Sequence, residues 1–174
     1  MLFQTLDYAV FFFVTASLIL IIKNDRIQKC LLLLASLYFY SVGSLVHLPL
    51  FLAVICFTYV MAMILQKHHK KWLLALTIVL SFVPLFIYKY LPFLYGELYS
   101  GCINESSWIV RLSLPVGISF YTFQSVGYVI DVWRGKQKAE KDLLVYAVFV
   151  SFFPQLIAGP IERSSNLLGQ IKQT

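Results

Sequence analysis

Gly117, Tyr121, Gln124, Tyr128 and Asp131 follow one another at intervals of four, three, four and three residues. On an α-helix they share one face. Phenols and a carboxamide within an apolar run can donate and accept hydrogen bonds where water is scarce. They either line a polar passage or bind one helix to the next. Thr122 and Ser125 flank the stripe, and Gly117 and Gly127 are expected to admit another backbone. A second unusual stretch follows, Ser151-Phe152-Phe153-Pro154-Gln155-Leu156-Ile157-Ala158-Gly159-Pro160-Ile161-Glu162-Arg163. Pro154 has no N–H and crowds the Val150 carbonyl, Pro160 does the same to Leu156, and Gly159 is pushed toward an extended shape. If Leu143 enters a bilayer directly after the charged residues 134–142, Pro154 lies roughly 16 Å deep. Broken backbone at that depth survives only where it is packed within protein or lines a wet cavity. The sequence therefore predicts a polar passage with Tyr121, Gln124, Tyr128, Gln155 and Arg163 as wall residues, and Pro154, Gly159 and Pro160 shaping the break. At its mouth Glu162 and Arg163 could pair with each other's neighbours, Arg163 could meet an anionic donor group, or both are plain interfacial charges.

The elements that must position these residues are apolar helices. The chain has 174 residues, of which 60% are hydrophobic, 17% aromatic and 13% charged. No Lys, Arg, Asp or Glu occurs between Cys30 and Gln66, a run suited to two crossings. The expected fold is all-α, a polytopic integral membrane helical bundle of about six spans, with a broken helix near the sixth. The spans fall at about 8–22, 30–46, 50–65, 72–90 and 115–133, with the sixth from about 143. Residues 91–112 read as a mixed loop, and Pro49 suits the first turn of the third span.

A net charge of +6 in a soluble chain would point to nucleic acid. Here the basic residues sit in short loops between apolar runs, so no nucleic-acid partner is expected. Lys23, Arg26, Lys29, Lys67, Lys70, Lys71, Arg134, Lys136, Lys138 and Lys141 follow the odd-numbered spans. That asymmetry puts those loops in the cytoplasm and the N-terminus outside. Lys136, Lys138 and Lys141 on that side could raise the local concentration of a polyanionic donor molecule, and their simpler role is to orient the helices. The first apolar run has no basic region before it and no small-residue site after it, and is read as an uncleaved span. Cys30, Cys56 and Cys102 are odd in number and scattered, which supports neither a disulfide framework nor a metal site.

Three blocks carry a resemblance. They are Leu114-Pro115-Val116-Gly117-Ile118-Ser119-Phe120-Tyr121-Thr122-Phe123-Gln124, then Tyr128-Val129-Ile130-Asp131-Val132-Trp133-Arg134-Gly135, then residues 151–163. In order and spacing the chain resembles the membrane-bound O-acyltransferases. The closest branch is the bacterial one typified by the alginate O-acetylation membrane protein, with peptidoglycan O-acetylation and D-alanine-transfer relatives. The opening Met1 to Phe13 is similar to the start of that branch. The resemblance implies a multi-pass protein of the bacterial inner membrane, with a bundle around a tunnel. A cytoplasmic acyl donor, acetyl-CoA or another acyl thioester, would meet an extracytoplasmic polysaccharide or cell-wall acceptor, or a partner acetyltransferase, on the outer side.

The family's catalytic histidine lies in a later block that this sequence lacks. Residues 1–174 are thus expected to be the N-terminal part of such a domain, with no catalytic residue of their own and no activity alone. None of the histidines present is expected to substitute as the base for acyl transfer. His68 and His69 stand in a solvated basic loop, and His47 in an outer turn. The alternative is a non-catalytic, truncated or accessory membrane protein acting by helix–helix assembly. A small transporter would show the broken-helix pattern twice, which this chain does not.

Overall fold

The computed structural model describes residues 6–98, 113–156 and 164–173, and among them every regular element is helical. α1 (Leu6–Ile21) ends where its last carbonyls lose their helical donors. The Gln28 amide meets that need, donating to the carbonyls of Ile19 (2.9 Å) and Ile22 (2.6 Å). α2 (Asp25–Ser44) begins at Asn24, whose Oδ1 accepts the Arg26 and Ile27 N–H groups. A single 3-10 turn (Leu45–His47) leads into α3 (Leu48–His68), with Pro49 in its first turn, as the sequence indicates. His69 closes α3 in the left-handed conformation (φ 42°), with its N–H on the Leu65 carbonyl.

α4 (Lys71–Leu85) opens directly after this turn and contains Pro84. The loop expected over residues 91–112 is helical in its first part. A π-turn (Phe86–Tyr90) carries α4 into α5 (Leu91–Leu98), and the Leu91 N–H reaches back to the Phe86 carbonyl. Pro84 and Pro92 each deprive one carbonyl of its partner, and the wider π-turn between them lets the helix continue rather than stop. α6 (Ile118–Trp133) begins at Gly117, whose φ of 68° favours glycine. α7 (Leu143–Ser151), α8 (Phe153–Leu156) and α9 (Ser164–Gln173) complete the described chain.

Two helices among the described residues are long and apolar enough to cross a membrane, Leu45–His68 and Lys71–Leu94, where about six were expected. The others fall short for identifiable reasons. α1 and α6 have 16 residues each, α6 is polar along one face, and the first turns of α2 carry Asp25, Arg26 and Lys29. α7 stops after nine residues, about 14 Å against a hydrocarbon core of about 30 Å. The two long helices are only 33% and 17% buried over their most apolar windows, unlike the core helices of a water-soluble protein. Phe13, Leu34, Val79 and Phe93 likewise stand more than half exposed. An apolar outer surface of this extent suits lipid.

α6 is the central element, packed on α3, α4, α7 and α9. α7 is sandwiched among α2, α3, α6 and α9, and every residue from Val145 to Ser151 is buried. α9 lies beside the early part of α2. Leu167, Gln170 and Ile171 share a cavity of about 140 Å³ with Ile19, Gln28, Lys29, Leu32 and Phe152. The bundle therefore has a basic end, where α1 meets α2, α3 meets α4, and α6 meets α7. α9 returns toward it.

Candidate functional site

The helix break lies at Phe152, two residues before Pro154. Phe152 takes φ −54° and ψ 103°, ending α7, and α8 starts at Phe153. Pro154 thus occupies a first helical turn, where a missing N–H costs nothing, rather than kinking a continuous helix. In a continuous helix the Phe149 carbonyl would have accepted from the Phe153 N–H, while the Val150 carbonyl has no donor at Pro154 in any helix. Gln124 answers the first of these losses, its Nε2 donating to the Phe149 carbonyl at 2.8 Å. The stripe on α6 and the break on α7 are therefore joined by a buried hydrogen bond between an amide side chain and the carbonyl freed by the break.

The rest of the stripe is also engaged. Tyr121 is fully buried, its ring 4.8 Å from Phe51 and 6.5 Å from Tyr40, with Tyr40 and Phe51 stacked at 4.4 Å. Tyr128 is buried beside Tyr146 at 4.8 Å, and its hydroxyl accepts the Glu140 N–H at 2.7 Å. Asp131 sits at the end of the face, with Lys136 3.9 Å away. Gly127 makes no close approach: a Cβ there would meet nothing within 4 Å. The glycine that does admit another segment is Gly43, where a Cβ would lie 3.3 Å from Val116.

Several contributors escaped the sequence. Tyr146, within an otherwise apolar α7, donates to Thr58 Oγ1 at 2.8 Å, and Thr58 donates in turn to the Val54 carbonyl at 2.7 Å. A lone phenol in an aliphatic run was the available signal, because a buried hydroxyl needs a partner. Glu140 is buried at the α6–α7 loop, and its Oε1 accepts the Lys141 (3.0 Å) and Asp142 (3.3 Å) N–H groups, supporting the start of α7. His47, expected in an outer turn, is buried with its ring edge-on to Tyr88 at 5.2 Å. His68 and His69 are exposed.

Around the break the surroundings are aromatic. Phe153 is buried among Tyr8, Phe11, Phe12 and Phe39, with centroids 5.3 to 6.5 Å away. Pro154 borders a cavity of about 180 Å³ with Phe12, Thr15, Ala16, Ile19, Leu32, Phe152 and Phe153. Ser36, Thr122 and Ser151 each bury a hydroxyl with no hydrogen-bond partner among the described residues. Those three hydroxyls are among the polar groups a bound water would satisfy. Gly159, Pro160, Arg163 and the Gln155 side chain lie outside the described residues. Of the five expected wall residues, then, Tyr121, Gln124 and Tyr128 are brought together on one buried face. Phenols and carboxamides exchange protons poorly near neutrality, so this trio can hold and orient but not activate a nucleophile. No group of three or more His, Cys, Asp or Glu suited to a metal ion occurs among the described residues.

Comparison with known proteins gives relatives along most of the chain. It is 34% identical over 158 residues to the probable alginate O-acetylase AlgI of Pseudomonas aeruginosa, covering 86% of this chain and 30% of that protein. The Azotobacter vinelandii protein of the same name is 36% identical over 154 residues, covering 83% of this chain and 31% of the relative. The peptidoglycan O-acetyltransferase of Helicobacter pylori is 31% identical over 179 aligned positions, with 86% of this chain and 34% of that protein covered. The chain thus spans about a third of the length of the curated relatives it matches. No family model matches it, and no solved structure matches it at a significant level. Over most of its length, then, this membrane-associated helical chain is homologous to the alginate O-acetylases, a relationship of the membrane-bound O-acyltransferase kind.

Proposed function

We propose that residues 1–174 form the N-terminal wall of a membrane-embedded O-acyltransferase. It would move an acyl group, acetyl in the leading case, from a cytoplasmic thioester such as acetyl-CoA toward an extracytoplasmic polysaccharide or cell-wall acceptor. The observation that carries this reading is the Gln124–Phe149 bond, which fixes a broken helix against a polar helix face inside an apolar bundle. Such a break is costly in lipid and survives where it is packed within protein or lines a wet cavity. The relationship to O-acetylases supports acyl transfer as the chemistry. The basic loops support a multi-pass bacterial inner-membrane protein with its N-terminus outside. In this topology α3 and the helix running from α4 into α5 cross outright, the shorter or more polar α1, α2 and α6 cross with local thinning of the bilayer, and α7 enters and ends at mid-depth.

The described side chains hold the passage rather than perform the reaction, so the chain alone is read as inactive. Donor handling and a partner acetyltransferase belong to the complete assembly. A second reading, a non-catalytic subunit acting by helix assembly, is favoured by the open strip on α6, where Phe123 is 45% exposed and Gly127 has free space around it. Both are tested by acyl-transfer assays on this chain alone and on a polypeptide that continues into the later family blocks. Turnover is expected only in the longer protein, and Gln155→Leu there should abolish transfer while membrane insertion persists. Transfer by the 174-residue chain, or full activity of the Gln155→Leu protein, would defeat the wall assignment; inactivity of the longer protein would favour the assembly role.

A further inference from the structure

The residues 134–142 that join α6 to α7 do not hang free. The Ala139 N–H donates to Gln66 Oε1 at 3.1 Å, the Tyr59 hydroxyl donates to the Lys141 carbonyl at 2.6 Å, and the Glu140 N–H donates to the Tyr128 hydroxyl at 2.7 Å. Two of these bonds reach the last three turns of α3, across 73 and 82 residues of chain. Ala139 and Glu140 turn inward and are buried, while Lys138 and Lys141 stay exposed. Gln66 is followed by Lys67, Lys70 and Lys71, all exposed at the turn between α3 and α4. The bonds therefore bring two basic loops, far apart in sequence, to one level of the bundle. The acids nearby keep their charge but are outnumbered by the five lysines: Glu140 Oε1 accepts backbone N–H groups, Asp142 Oδ1 accepts the Leu144 N–H at 2.9 Å, and Asp131 faces Lys136.

That level is a membrane–water boundary. The α3–α4 turn joins the two helices long enough to cross a bilayer, so it must emerge at a surface. Trp72 opens α4 there, 62% exposed, and Trp133 closes α6 at the same end, the placement of an interfacial aromatic girdle. Exposed cations held at that depth face a layer of phosphates.

We infer that the two hydrogen-bonded basic loops form a single platform for the headgroups of anionic phospholipids. Each lysine near an anionic surface strengthens attachment by a factor of about five. The pinning of residues 139–141 keeps Lys138 and Lys141 in the plane of Lys67, Lys70 and Lys71 instead of letting them extend into water. The inference rests on membrane residence alone and is independent of acyl transfer.

The test places the 174-residue protein in nanodiscs of phosphatidylcholine with a minor fraction of phosphatidylglycerol and measures the lipid retained after mild detergent extraction. Phosphatidylglycerol should be enriched over its bulk fraction, and 1 M salt should remove the enrichment. Lys138→Gln with Lys141→Gln should bring it most of the way back to the bulk fraction. Gln66→Ala leaves the charge intact but frees Ala139, and should lower it several-fold, with monodispersity on size exclusion reporting that the bundle remains folded. Unchanged enrichment in the lysine variant would overturn the platform. Unchanged enrichment in Gln66→Ala would overturn the role of loop docking. Tight binding of inorganic pyrophosphate in pure phosphatidylcholine discs would assign the surface to a soluble polyanion instead.

Discussion

At the scale of single residues, the distinction that matters is between polar groups that answer a backbone need and polar groups that merely sit inside. Gln124 and Thr122 are both buried on α6, yet only the amide has a partner among the described residues, the Phe149 carbonyl. Gln124→Leu strands that carbonyl in an apolar interior and should destabilise the protein by about 1–2 kcal/mol. Thr122→Val removes a hydroxyl that bonds nothing described and should change stability by less than about 0.5 kcal/mol, in either direction. Denaturant titration in detergent micelles, followed by near-ultraviolet circular dichroism, separates the two. Equal effects would mean that the Gln124 bond contributes no more than a buried methyl.

At the scale of elements, helix period was legible and helix termination was not. The 4-3-4-3 spacing located the buried face of α6, and Tyr121, Gln124 and Tyr128 lie on it. What that face touches depends on which helix packs against it, and α7 offered no periodicity: seven consecutive buried residues give no preferred side. Proline was overread at Pro92: residues 91–112 read as a loop, yet α5 runs through Pro92 as the continuation of the π-turn at Phe86–Tyr90. The break expected around Pro154 falls at Phe152, between the proline and the Val150 carbonyl, and Phe153 beside it is drawn into the nest of Tyr8, Phe11, Phe12 and Phe39. A side chain committed to distant aromatics redirects the backbone, and no local rule encodes that. Pro154→Ala should therefore leave the break in place and shift the melting temperature by only a degree or two, while Phe153→Ala should cost about 3–5 kcal/mol. A large loss for the alanine at 154, with little effect at 153, would return the break to the proline.

At the scale of the whole molecule, the question is on which side the chain emerges after α7. Loop charge and a count of apolar runs favour a sixth crossing, but packing favours a return. α7 covers about 14 Å, and beyond the break Leu167, Gln170 and Ile171 stand beside Gln28 and Lys29, in the first turns of α2. α2 begins at the basic end, so α9 belongs to the same half of the bundle as the loop that precedes α7. Single cysteines at Lys138 and at Gln170, two exposed positions, can be placed in a background with the three native cysteines replaced by serine. An impermeant maleimide added to sealed inner-membrane vesicles of known orientation then reports each side. Both positions should be modified from the same face. Modification of the Gln170 site only from the face opposite to Lys138 would make residues 143–173 a complete crossing, and α9 would have to leave its place beside Lys29.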